Sequence, residues 1–201
     1  MKHEVTSLQT KKLLAGALKT CMETKPLSKV TVNELIGVCG LNRNTFYYHF
    51  NDIYALLEWM LRQETVEVLS HFELLTDYEE AILYVLDYIE KNKHILSCAY
   101  DAVGQAGLKR FFFNDCYQIV ENAMADLEKA LHLRVPEEFR GFLSSFYTEA
   151  MAGMLLEKAT GKIAYSNQKL VDYLDVILKS TIPQALIVAD EKRRAAERAE
   201  Q

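Results

Sequence analysis

A chain of 201 residues that is half hydrophobic and a quarter charged, with 8 Gly and 3 Pro, suits one or two domains and a mostly helical globular protein, and one of this size buries about 70% of its unfolded surface. No stretch approaches the roughly 18–20 unbroken apolar residues of a membrane span, and the opening Met-Lys-His-Glu-Val-Thr lacks the apolar core of a signal peptide, so a cytoplasmic protein with no membrane partner is expected. The net charge of −5 is uneven: residues 1–62 hold eight Lys or Arg against five Asp or Glu, and residues 63–201 hold fifteen against twenty-three.

In chain order, residues 6–24 read as a first helix, with Leu8, Leu14, Ala15, Leu18 and Met22 turned towards two short helices that follow the Lys25-Pro26-Leu27-Ser28 connection. Thr31 caps the first of these, and Glu34 stands three residues on, as a capping box requires. Val32, Leu35, Ile36 and Cys39 form its apolar stripe, and Gly37 is small enough for a neighbouring helix to approach. Gly40 supplies the left-handed residue that ends a helix, Leu41 points inward, and Asn42 caps the second short helix. Phe46 and Phe50, four apart, share the face that locks it down. Arg43, Asn44, Thr45, Tyr47, Tyr48 and His49 remain for the other faces. So short a helix with so much exposed aromatic and amide surface fits phosphates and base edges better than water.

A longer helix from Asn51 or Asp52 carries Ile53, Leu56, Leu57, Met60, Leu61 and Val68 towards His71 and Phe72. Asp77 and Glu80 open the next, with Ala81, Ile82, Val85, Leu86 and Ile89 on its apolar side. A shorter helix covers residues 93–103 and ends at Gly104 and Gly107; residues 108–133 form a long amphipathic one. Pro136 with Glu137 and Glu138 is a helix start in both backbone and charge, and that helix stops at Gly161. A last helix begins at Asn167 and reaches Leu186 or beyond, with a kink expected at Pro183. The alanine-rich charged tail, residues 191–201, reads as a frayed helical extension. No strand pattern or internal repeat occurs, so the expected fold is all-α: an N-terminal three-helix DNA-binding domain (1–52), a C-terminal helical regulatory and dimerisation domain (53–188) and a charged tail (189–201).

The Thr45-Phe46-Tyr47-Tyr48-His49-Phe50 run, followed by Asn51-Asp52 and an amphipathic helix, resembles the recognition-helix signature of the TetR family of bacterial transcriptional regulators. The resemblance implies a regulator that binds double-stranded DNA as a homodimer on an inverted repeat, since one short helix reads only a few base pairs. It points to Arg43 for direct base readout and to Asn33, Asn42 and Asn44 for base or phosphate contacts. Thr45, Tyr47 and His49 match positions that bond backbone phosphate in the family, with packing on the first helix the alternative for Tyr47 and capping of local backbone that for His49; Thr31 offers its amide or hydroxyl, and Tyr48 offers an apolar contact to a thymine methyl or sugar. Lys2, Lys11, Lys12, Lys25 and Lys29 are candidate phosphate contacts; solvated surface lysines would look the same. The chain departs from the family where Asn44 replaces a usual small residue, where Ile53 replaces a frequent phosphate-binding lysine, and where Glu34 adds a negative charge near the DNA side.

Two apolar bands suit a four-helix interface between two chains: Phe139, Phe142, Leu143, Phe146, Tyr147, Ala150, Gly153 and Met154, and Leu170, Tyr173, Leu174, Ile177 and Leu178. Both equally suit ordinary core. The family usually holds a small-molecule effector in its regulatory helices, and Trp59, Tyr84, Tyr88, His94, Cys98, Tyr100, Phe112, Cys116, Tyr117, Tyr147 and Met151 are the residues offered for such a pocket, core packing being the competing reading. Residues 88–100 and Phe111-Phe112-Phe113-Asn114 look like the branch containing the DhaS-type activators of dihydroxyacetone kinase operons, in which a partner protein carries the signal. An enzyme is not expected. No Gly-x-Ser-x-Gly, phosphate-binding loop or dinucleotide fingerprint is present, and none of the five histidines follows a Glu by three residues, as di-iron helical bundles require. Cys21, Cys39, Cys98 and Cys116 show no metal-ligand spacing; they read as reduced thiols, with a redox sensor as the alternative, and no cofactor is expected. A helical protein-interaction module that never touches DNA is the remaining alternative.

Overall fold

The computed structural model describes residues 2–69, 72 and 75–199, and no strand occurs among them. The helices are α1 (Lys2–Thr24), α2 (Val32–Cys39), α3 (Arg43–His49), α4 (Ile53–Leu69), α5 (Tyr78–Lys91), α6 (Lys93–Ala130), α7 (Glu137–Ala159) and α8 (Asn167–Ala199), with a 3-10 turn at Leu27–Lys29 between α1 and α2. The expected inward course of Val68 and His71, and any phosphate contact by the Lys2 side chain, lie outside the described residues.

The chain folds as two compact units. The first runs from α1 through residue 68 of α4 and adds residues 92–108. Its core is aliphatic with one aromatic anchor: Leu14, Leu18, Met22, Leu35, Phe46 and Leu56 are wholly shielded from water. Burying side chains of this size stabilises by roughly 1.5–3 kcal/mol each, enough to hold helices too short to persist alone. Lys19 of α1 ties to Glu64 of α4 at 2.9 and 3.1 Å. His94, at the start of α6, places Nε2 2.7 Å from the Met22 carbonyl in the last turn of α1. Two expectations are corrected here. Leu8 is 44% exposed and does not face the short helices; α1 begins at Lys2, and the apolar seam starts lower, at Leu14. Gly37 faces open space, so its small size admits no neighbouring helix.

The second unit comprises α5, α6 from Lys109 onward, α7 and α8. Gly104 interrupts α6 with φ 72° and ψ 174°, a conformation an L side chain rarely adopts, so the helix expected over 93–103 ends where its glycine stands and a second arm continues. Met124, Val135, Leu143, Tyr147, Leu186 and Ala189 form one core cluster. Pro183 lies inside α8, which runs on through it.

The tail, expected as a helical extension, is helical to Ala199. Asp190, 2% exposed, accepts the Arg134 N–H at 3.3 Å and pairs with Arg193 at 2.8 Å and Arg194 at 2.6 Å. Arg193 Nε also donates to the Arg134 carbonyl at 2.8 Å. A buried carboxylate is tolerable only when its lone pairs are met this fully. The Arg193 bond, with Arg194 and the Arg134 amide, holds the Asp190 carboxyl below the usual aspartate value. A depressed folded value means the contribution is complete above the unfolded value of 3.8 and is lost as pH falls through the folded one. Asp190→Asn is therefore expected to lower denaturant stability at pH 7 and pH 5, with the gap from the native chain closing below pH 3.8; urea titrations at the three pH values check it.

Candidate nucleic-acid interface

The local structure of the two short helices follows from their caps. Thr31 Oγ1 accepts the Glu34 N–H at 3.3 Å while Glu34 Oε2 accepts the Thr31 N–H at 2.9 Å, so two otherwise unmet amides are satisfied reciprocally. Lys25 binds the other Glu34 oxygen. The Lys25 bond, then those from Thr31, hold the Glu34 carboxyl down at about 2. Glu34 is thus engaged in capping, and its charge is offset by Lys25. Lys25, offered as a phosphate contact, is paired with Glu34 in the free chain.

Gly40 closes α2 at φ 64°, and both its N–H and that of Leu41 bond the Ile36 carbonyl. Asn42 then opens α3: its Oδ1 accepts from the Thr45 amide at 2.8 Å and the Thr45 hydroxyl at 3.0 Å. Phe46 is fully buried and Phe50 is 5% exposed, their ring centroids 6.1 Å apart. With that face sealed, Arg43, Asn44, Tyr47 and Tyr48 stand in solvent, joined by Thr31, Asn33 and Asn42, while Thr45 and His49 are half-buried. Tyr48 is 77% exposed, an unfavourable place for a large ring unless something covers it.

Arg43 does not hang free. Its guanidinium lies 5.6 Å from the Tyr47 ring centroid, with Nη2 3.4 Å from the Tyr47 hydroxyl. Stacking of this kind pre-orders a planar fork for bidentate recognition. His49 lies edge-on to Tyr48 at 4.9 Å. Burial, and secondarily the charge of Lys11, depress its imidazole below the ordinary histidine value, which favours the neutral ring at pH 7. Lys11 of α1 sits 5.8 Å from the centroids of both Phe50 and Trp59. This clamp joins α1, α3 and α4, and sequence reasoning, which saw Lys11 only as a charge, missed it; the aromatic partners stand 39 and 48 residues away.

The residues offered for an effector pocket scatter. Tyr147, Met151 and Cys116 line one cavity of about 310 Å3 in the second unit, among α5, α6, α7 and α8. In the same unit, but not lining it, Tyr84 rests against Phe72, Tyr117 stacks on Phe113, and Tyr88 and Phe112 are core. Trp59, His94, Cys98 and Tyr100 belong to the first unit: Trp59 packs on Phe50, His94 bonds α1, Cys98 is buried and Tyr100 half-buried. The main lining is aliphatic, from Ile82, Val85, Ile119, Leu127, Leu178 and their neighbours. Periodicity could not separate these positions from core, since both use the same residues at the same spacing.

A helix-turn-helix presenting a stacked arginine beside exposed aromatics, carried by an otherwise helical chain, defines a helical transcriptional regulator. Residues 76–180, more than half of the chain, match the TetR-type family described as the transcriptional regulator C-terminal region. The chain belongs to the TetR family. Over 151 residues it is 20% identical to the HTH-type dhaKLM operon transcriptional activator DhaS of Lactococcus lactis subsp. lactis (strain IL1403), covering 75% of this chain and 80% of that protein. Its fold is similar to the solved structure of a dihydroxyacetone kinase operon activator DhaS, with a TM-score of 0.66 at 19% identity over 86% of this chain and 96% of that one. These likenesses agree with the branch suggested by residues 88–100 and 111–114.

Two outcomes follow for the head. Thr31→Ala should cost about 1 kcal/mol of stability, the usual loss on removing a helix cap, read as a lower urea midpoint at unchanged slope. Lys11→Met should move the His49 titration upward towards the ordinary histidine value, read by NMR of the imidazole protons; no movement would remove Lys11 from the account of that shift.

Proposed function

We propose that the chain is a sequence-specific regulator that reads an inverted-repeat operator as a homodimer in the cytoplasm, under the control of a small-molecule effector or a partner protein acting on its C-terminal helices. The observation that carries the reading is the division of α3 into a sealed face and a solvent face. Phe46 and Phe50 fix the helix, so Arg43, Asn44, Tyr47 and Tyr48 are presented on a rigid support, as groove reading requires. In this reading Arg43 bonds a guanine edge, with Tyr47 holding its fork. Asn33, Asn42 and Asn44 meet bases or phosphates, and Thr31, Thr45, Tyr47 and His49 meet the backbone. Asn42 and Thr45 do so while capping α3, which limits them to the hydrogen-bonding capacity the cap leaves. Residues 1–52 read DNA, residues 53–188 regulate and dimerise, and the helical tail extends α8.

Support for pairing comes from α7 and α8. Phe142, Phe146, Tyr173, Val176 and Ile177 are 48–66% exposed, a concentration of large apolar surface that marks an association face. The lower half of the expected bands, Leu143, Tyr147, Leu170 and Leu174, is buried, so each helix spends one side on its own core and keeps the other outward. DhaS, the relative, is a transcriptional activator of an operon; transcriptional control is carried over to this chain on that likeness, and the controlled genes are left to the operator search. The acidic C-terminal part would disfavour DNA elsewhere on the surface, since charge acts over about 10 Å in ordinary salt.

Selection of the purified chain against a random duplex library, with Arg43→Ala in parallel, tests the reading. An enriched inverted repeat is expected, with the variant losing about 5- to 150-fold in discrimination at one position of each half-site, the equivalent of about 1–3 kcal/mol. No enrichment at low or moderate salt would favour a protein-interaction module. Phe146→Glu should convert the dimer to a folded monomer in light scattering and abolish binding to the full repeat; a native-like dimer would move the interface away from α7.

A further inference from the structure

We infer that the cavity among α5, α6, α7 and α8 takes an uncharged, chiefly aliphatic small molecule of about ten carbons, and that this molecule is the effector of the regulator reading above, on which the inference rests. Three observations converge. The volume, about 310 Å3, lies at the lower end of small-molecule pockets and equals about ten water volumes; a methylene takes nearly the space of a water. The lining is almost wholly apolar, with Ile82, Val85, Ile119, Val120, Leu178 and Ile182 contributed by three different helices. Water is held by two to four polar partners, and this wall does not offer them, so the matching occupant is one that gains by dispersion and burial.

The third observation concerns the polar groups that do reach the wall. The Tyr147 hydroxyl is bonded to Thr181. The Tyr78 hydroxyl donates to Asp175, and burial together with that carboxylate pushes Tyr78 up to about 12, so it stays a neutral phenol. Lys179 is bracketed by Asp175 at 2.7 Å and Glu79 at 3.0 Å and lies 5.8 Å from the Tyr78 ring centroid. Lys179 is exposed, Tyr78 half-buried, and Met124 and Leu155 are buried, which marks Tyr78 and Lys179 as the solvent end. The cluster of Asp175, Glu79 and Lys179 carries one net negative charge. An anionic head there would have to displace two carboxylates from Lys179, and a cationic head would find both carboxylates already paired with it. A hydroxyl or carbonyl needs neither exchange.

Displacement of the neutral fluorophore N-phenyl-1-naphthylamine from the full chain by 1-alkanols of six to fourteen carbons tests this, with decanoate and decylamine as charged counterparts. Affinity is expected to rise about fourfold per methylene and to stop rising near ten carbons, with both charged ligands at least about tenfold weaker than 1-decanol. A rise that continues unbroken to fourteen carbons, as adsorption to an exposed face would give, overturns the cavity assignment. Decanoate or decylamine binding as tightly as the alcohol overturns the neutral head. Ala123→Leu and, separately, Ile119→Phe, each checked for native helix content by circular dichroism, should shift the cut-off to shorter alkanols; a folded variant with an unchanged cut-off counts against the site. Operator binding with and without 1-decanol completes the test. An alkanol series that binds in the cavity but leaves operator affinity unchanged overturns the effector role, whereas failure to enrich any operator defeats the regulator reading with the cavity chemistry intact.

Discussion

A helix of seven residues has no business being stable. Nucleation fixes several dihedrals before the first hydrogen bond repays them, and isolated helices shorter than about 12–15 residues are marginal in water. α3 exists because Asn42 meets the Thr45 amide at one end and because Phe46 and Phe50 bury one face in a core built by α1, α2 and α4. Everything proposed for DNA reading depends on that anchorage. A residue that must touch a base edge within hydrogen-bonding tolerance needs a support that does not move, and the support here is a phenylalanine with no exposed surface. The polarity of the outer face follows from the same constraint, since with one face spent on anchorage the other is left free for Arg43, Asn44, Tyr47 and Tyr48.

Electrostatics within the head are arranged around the caps. Glu34 looks from its position like a repulsive charge facing phosphate, yet its carboxylate is engaged with Thr31 and Lys25, so the helix end consumes both charges. Lys11 lies over Phe50 and Trp59 and adds to the larger effect of burial in lowering the His49 imidazole, which ties the protonation of a candidate phosphate contact to the packing of α1. Aromatic and cationic side chains thus serve twice in the head: they hold the helices together and set the charge of the surface they carry.

The second unit solves a different problem. Three helices, α6, α7 and α8, share a core cluster centred on Met124, Leu143, Tyr147 and Leu186, and together with α5 they leave an apolar cavity beside it. Met124 and Tyr147 belong to both, packed in the cluster and lining the cavity. At the far end of α8, Asp190 gathers Arg193, Arg194 and the Arg134 amide, which anchors the base of the helical extension that composition suggests. The exposed Phe142, Phe146, Tyr173 and Ile177 lie on α7 and α8, so these helices bury leucines and expose aromatic and branched apolar side chains.

Much of this was readable in order along the chain. The capping box at Thr31 and Glu34, the left-handed Gly40, the Asn42 cap, the Phe46–Phe50 face and the break at Gly104 are local chemistry, decided by residues three to five apart, and the all-helical class follows from periodicity and the scarcity of breakers. What local pattern does not carry is the identity of a neighbour distant in sequence. Leu8 and Leu14 have the same hydropathy, and only the placement of α2 and α3 leaves one exposed and the other buried. Lys25 and Lys11 are alike as charges, but the fold hands one to a carboxylate nine residues on and the other to two rings nearly forty and fifty residues away. Tyr147 and Tyr88 are both buried tyrosines on amphipathic helices; whether such a ring meets a cavity or a neighbour depends on how four helices leave space between them, and that is a property of their assembly, carried by no single residue.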